Sequence, residues 1–112
     1  MSVLRRVDLG RREEILRELE RLVRRLKETL PLEKVYLFGS FATGNIHEGS
    51  DIDLVLVGQF RERFQERIFR VLELNDENLP IEPLCYSPDE FEAMIQEGNP
   101  FIVEVLKTGR EL

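Results

Sequence analysis

One cysteine, one histidine and no tryptophan occur in these 112 residues. The lone Cys85 cannot close an internal disulfide, which fits a reducing cytoplasm. The chain also lacks an excess of positive charge. Its 16 Lys and Arg face 22 Asp and Glu for a net charge of −6, so nothing sums to the basic footprint of a general nucleic-acid binder. No apolar run approaches the ~20 residues needed to span a membrane, and Met1-Ser2-Val3-Leu4-Arg5-Arg6 lacks the apolar core of a secretory signal. Internal repeats, low-complexity segments and linkers are missing too. With 42% hydrophobic and 34% charged residues, what remains is an ordinary globular composition. The length suits one domain over residues 1–112 with a single modest core.

The chain alternates between helical and strand patterns. Ile15, Leu19, Leu22 and Leu26, joined by Leu16, Val23 and Leu30, recur at helical spacing and predict an amphipathic helix over 11–30, stopped by Pro31. Arginines in that helix interleave with Glu13, Glu14, Glu18 and Glu20, reading as a solvated face with local ion pairs. Lys34–Phe38 and Asp51–Val57 read as strands, and Phe60 to Glu73 as a helix. Asn75–Asn78 is a turn. Ile81–Tyr86 is a third strand, at or near a sheet edge because Pro83 cannot donate a ladder hydrogen bond. Ser87-Pro88-Asp89-Glu90 has the form of a capped helix start. Gly98 ends that helix, and Asn99-Pro100 opens a last one closed by Gly109. This order predicts an α/β fold, a small mixed β-sheet packed with helices.

Residues 39–58 carry the chemistry. Gly39-Ser40 leaves a strand directly. A glycine there lets the backbone approach a ligand, and the following N–H groups with the Ser40 hydroxyl suit phosphate oxygens. By itself such a pair is more often a plain turn. Asp51 and Asp53 shift that balance, because residues two apart on a strand project from one face. Two neighbouring carboxylates repel unless a cation lies between them, and oxygen-only ligands suit Mg²⁺ or Mn²⁺. The competing readings are a turn residue for Asp51 and an arginine partner for Asp53. Other motifs fit poorly. A dehalogenase-type Asp-x-Asp ends its hydrophobic strand, whereas here the aliphatics follow. A calcium loop needs further oxygen ligands where Leu54-Val55-Leu56-Val57 stands, and no Gly-x-x-x-x-Gly-Lys loop occurs.

The pattern Gly39-Ser40-x-x-x-Gly44-x5-Ser50-Asp51-x-Asp53-Leu54 resembles the signature of the DNA polymerase beta-like nucleotidyltransferase superfamily. Size and element order resemble its smallest branch, the minimal nucleotidyltransferases. The resemblance implies a nucleotidyltransferase-like fold in which Gly39, Ser40, Gly44 and Ser50 hold a nucleoside triphosphate such as ATP. It also implies that Asp51 and Asp53 bind two divalent ions, Mg²⁺ or Mn²⁺. The family has a third carboxylate on the next strand, usually Asp; Glu82 is the matching residue here and is expected to act as third ligand or base. Many relatives carry a basic residue where Thr43 sits. His47 reads as a solvated loop residue, Cys85 as a buried strand residue, and Phe60, Phe64, Phe91 and Phe101 as core rather than base-stacking platforms.

By the same resemblance, the chain would be the antitoxin of a toxin–antitoxin pair, acting on a small helical partner of the HEPN type. It would transfer AMP from ATP to a tyrosine hydroxyl of that partner, since 112 residues leave no room for an acceptor-binding domain. An antitoxin or regulatory nucleotide-binding module that acts by binding without turnover is the alternative.

Overall fold

The computed structural model describes residues 2–44 and 51–112, with residues 2–11 described by their backbone. Helix α1 (Ser2–Thr29) leads into strand β1 (Leu32–Phe38), the short helix α2 (Ser40–Thr43) and strand β2 (Ile52–Gly58). Helix α3 (Phe64–Glu73), strand β3 (Ile81–Tyr86), helices α4 (Pro88–Gln96) and α5 (Pro100–Thr108) and strand β4 (Arg110–Glu111) complete the chain. The sheet order is β3-β2-β1-β4. β1 runs antiparallel to β2 and β4, and β2 runs parallel to β3. The expected mixed sheet packed by helices is therefore what forms.

Strand alternation divides the core in two. Val35 and Leu37 of β1, Ile52, Leu54 and Leu56 of β2, and Cys85 of β3 share one face with the apolar stripe of α1. That stripe is Leu19, Leu22, Val23, Leu26 and Leu30, buried at the expected helical spacing. Tyr36, Val55 and Val57 point to the other face, where Phe91 of α4 and Ile102 and Val105 of α5 cover them. A fully buried Leu or Val contributes about 1.5–3 kcal/mol, so these two clusters hold the sheet between its helical layers.

Several local expectations need correction. α1 begins at Ser2 rather than near residue 11 and runs through Gly10. An interior glycine costs only about 1 kcal/mol against Ala, less than a formed helix loses by restarting. Among the described residues, the ion pairing of α1 is not local either. Arg25 reaches across to the 75–78 turn, donating to both carboxylate oxygens of Glu77 at 2.7 and 2.8 Å and to the Leu74 carbonyl at 2.9 Å. A bidentate pair of that kind outcompetes a single i,i+4 contact. α3 starts at Phe64, not Phe60, because Glu62 accepts the Arg61 backbone N–H and pairs with Arg70 outside the helix. Phe64 is 38% exposed rather than core, whereas Phe60 and Phe91 are buried. A two-residue strand, β4, follows Gly109 and pairs with Tyr36 and Leu37.

Other expectations hold. Ser87 and Glu90 form a reciprocal capping box ahead of Pro88. β3 is an edge strand, and its outer side is blunted. Ile81 N–H is taken by the Leu79 carbonyl, Pro83 has no N–H, and the Cys85 carbonyl accepts from Arg67 at 3.3 Å. No described helix is long and apolar enough to cross a membrane.

Candidate functional site

The ladder register brings two of the sequence-predicted acids, Asp53 and Glu82, together. Asp53 is the Cα partner of Phe38 on β1 and of Glu82 on β3. Along β2 it shares its direction with Val55 and Val57, so Asp53 faces the α4/α5 side of the sheet. The helices cover Val55 and Val57 but leave Asp53 half-exposed at the strand start. Asp51 lies one step ahead of β2 and is exposed, as is Glu82.

Electrostatics tie the three carboxylates into one unit. Burial, then the charge of Asp51, raises the Asp53 carboxyl above its ordinary value, against a lowering hydrogen bond with Glu82. The Asp51 charge and a hydrogen bond with Asp51, followed by burial and by Asp53, raise Glu82. Each acid therefore disfavours a second negative charge beside it. Among the described residues, no three His, Cys, Asp or Glu side chains are already gathered at metal-holding distance. The chemistry of the donor set nevertheless fits a hard divalent cation, since Asp51, Asp53 and Glu82 offer only oxygen. A cation among them would relieve the repulsion that raises two of them.

The Gly39 turn lies directly against this group. Gly39 has φ 72° and ψ −151°, a region open essentially to glycine alone. A Cβ placed there would overlap Asp53 Oδ2 and stand 3.3 Å from its Cγ. The Gly39 carbonyl accepts from the N–H groups of Ala42 and Thr43, both at 3.1 Å, and from the Thr43 hydroxyl at 3.3 Å. Thr43 thus tightens the turn. Phe41 is buried and anchors α2 to the core, while Ser40 is half-exposed. Gly44 ends the short helix at φ 86° with its N–H on the Ser40 carbonyl. Ser50 and His47 fall outside the described residues.

Cys85 has no part in this group. Its thiol is buried, and burial pushes its pKa up to about 12, so it stays protonated and inert. Sequence reasoning missed a neighbour, however. Phe101 of α5 is partly buried against the α4/α5 core cluster, and it meets Phe38 edge-on at a centroid distance of 5.2 Å. Phe38 is the residue directly opposite Asp53. The alternation of Tyr36 and Phe38 on β1, combined with the pairing of β1 and β2, was the available signal.

Comparison with known proteins adds two findings. The sequence profile of the nucleotidyltransferase domain family matches residues 19–108, most of the chain and all of the carboxylate cluster. A crystal structure of a candidate nucleotidyltransferase from Sulfolobus solfataricus superposes with a TM-score of 0.61 at 23% identity, over 76% of this chain and 78% of that one. At that identity the likeness speaks for the fold alone, and the fold is a nucleotidyltransferase-like α/β arrangement. No curated protein matches the chain.

Proposed function

We propose a reaction from one premise: this chain belongs to the nucleotidyltransferase domain family. The reaction is transfer of AMP from ATP to a hydroxyl of a small helical partner protein of the HEPN type, with tyrosine as the acceptor side chain. The pair would work as toxin and antitoxin, and this chain would be the antitoxin. The observation that carries the reading is the contact between the Gly39 turn and Asp53, which sets the backbone of a glycine turn directly against a carboxylate.

In this reading the acceptor oxygen attacks the α-phosphorus, a new P–O bond forms, and the bond to the β-phosphate breaks as pyrophosphate leaves. Gly39, Ser40, Gly44 and Ser50 hold the triphosphate chain, the glycines by close backbone approach and the serines by hydroxyl contacts. Asp51 and Asp53, with Glu82, would hold Mg²⁺ or Mn²⁺. When bound, two such ions neutralise charge on the phosphates and lower the pKa of the attacking hydroxyl. Glu82 is the residue placed to take the acceptor proton, since it stands opposite Asp53 on the neighbouring strand and lies exposed to an arriving hydroxyl. Asp53, pinned between Phe38 and Glu82, keeps the phosphate and the base on one face.

A second reading, binding without turnover, is favoured by one observation. Asp51, Asp53 and Glu82 stand close enough that Asp53 and Glu82 are raised, without forming a ready cation cage. The experiment that separates the two is incubation with α-labelled ATP and Mg²⁺ in the presence of the product of an adjacent short, helix-rich reading frame. Adenylation gives a labelled partner of higher intact mass, and Asp53→Asn abolishes it. A stable complex that never acquires label supports binding alone, and neither complex nor label removes the partner.

A further inference from the structure

The α4/α5 face of the sheet carries two aromatic pairs that differ in one respect. Tyr36 and Phe91 stack at 5.8 Å, and both rings are buried. Two residues along β1, Phe38 and Phe101 meet edge to face at 5.2 Å and 79°, and both are only half-buried. The aromatic column thus begins in the core and surfaces at the end of the strand where the carboxylates stand. Phe38 and Phe101 both pack against the buried cluster of this face, and neither is fully covered by it.

Position gives those rings a use. Phe38 is bonded to Gly39 on one side and lies opposite Asp53 on the other. Neighbouring strands are about 4.8 Å apart, so the ring stands within a nucleoside's length of a phosphate held between Gly39 and Asp53. Phe101 sits in the first turn of α5, where Asn99 Oδ1 accepts from the N–H groups of Phe101 and Ile102 and fixes the start of the helix. The ring is therefore carried on a capped helix end rather than on a loose loop.

We infer that Phe38 and Phe101 form the platform on which the base of the nucleoside triphosphate stacks, with Phe101 setting base preference. This inference rests on the nucleotidyl-transfer reading of the same site. Stacking reads the size of a π-face and not a hydrogen-bond pattern. The platform consequently prefers purine over pyrimidine triphosphates.

Calorimetry on the full chain with Mg²⁺ tests it, using ATP, CTP and inorganic tripolyphosphate as probes. Phe101→Leu keeps an apolar contact on Phe38 but removes the aromatic face. It is expected to weaken ATP about tenfold, the scale of one base–aromatic stack, to bring ATP and CTP close together, and to leave tripolyphosphate unchanged. Phe101→Tyr is expected to retain wild-type ATP affinity. Unchanged ATP affinity and preference in Phe101→Leu, or equal weakening of ATP and tripolyphosphate, overturns the platform while leaving the transfer reading intact. Failure of the wild type to bind either ATP or tripolyphosphate overturns both.

Discussion

Gly39 and Asp53 occupy each other's space: the Asp53 carboxylate stands where a side chain on Gly39 would begin. The glycine at the β1 exit therefore does more than turn the chain. Its missing Cβ lets a carboxylate from β2 stand against the backbone of the turn.

Gly39→Ala tests this contact. The substitution meets both an adverse φ/ψ region and Asp53 Oδ2. A loss on the order of 1–3 kcal/mol is expected from the backbone alone, with the overlap added to it. In an Asp53→Ala background the overlap disappears and only the backbone strain remains, so the Gly39→Ala penalty shrinks. Denaturant unfolding of the four proteins in a double-mutant cycle measures the difference. Full additivity would show that the two residues do not share that space.

Arg67 is the one buried charged residue among those described, at 8% exposure. It donates to the Glu62 carbonyl at 2.8 Å, the Cys85 carbonyl at 3.3 Å and Glu90 at 2.6 Å, with its guanidinium 5.7 Å from the Phe60 ring centroid. It thereby joins the loop before α3, the β3 edge and the start of α4. Arg67→Ala is expected to cost about 3 kcal/mol, because it leaves buried acceptors without a donor. Arg67→Lys rescues little, since an ammonium cannot reach three partners in the same fork. Glu90→Gln costs less, about 1 kcal/mol, as Glu90 is half open to water. Chemical denaturation of the three variants gives the ranking, and an equal cost for Arg67→Lys and Glu90→Gln would contradict it.

Stability should respond to pH in two opposite ways. The Arg70 hydrogen bond holds Glu62 low, and the Arg25 hydrogen bond holds Glu77 low. Burial pushes Glu90 up, but its hydrogen bonds with Arg67 and with the Ser87 backbone bring it lower on balance. For these three, the stabilisation is fully present above the unfolded glutamate value of about 4.3 and is lost as pH falls through their lower folded values. Asp53 and Glu82 are raised instead. The folded state binds protons on them more tightly than the unfolded chain, so their penalty is present above their folded values and fades as pH falls toward about 4. Melting temperature in chelator should therefore rise modestly from pH 7 into the mildly acidic range, then drop below about pH 4. Asp53→Asn flattens the rise and keeps the acid drop. A wild-type melting temperature that only falls from pH 7 downward would contradict the clustering of the acids.

Much of this was legible in residues taken one at a time. Pro83 marked an edge strand, and Ser87 and Glu90 marked a capping box, because each rule acts within a few residues. What the sequence hid depends on contacts between distant segments. Arg25 has acidic neighbours on its own helix, and nothing local says that Glu77, 52 positions away, will take it. Phe64 and Phe101 both have helical core spacing, yet Phe64 is exposed and Phe101 is only partly buried, outcomes fixed by how far each helix covers the sheet. β4 is two charged residues with no strand pattern, and it forms because Gly109 lets the chain pass tightly over Val105 and Leu37.

The most direct measurement of the central claim is a set of thermal melts of wild type and Asp53→Asn, each with chelator, with Mg²⁺ and with Mg²⁺ plus ATP. A functional carboxylate cluster predicts that Asp53→Asn is equally or more stable than wild type in chelator, because one repelling charge is gone. It also predicts that Mg²⁺ with ATP raises the wild-type melting temperature and leaves the mutant nearly unmoved, since the ligand binds the folded site alone. A mutant that melts clearly lower in chelator, together with a wild type that ignores Mg²⁺ and ATP, would make Asp53 scaffold and end the transfer reading.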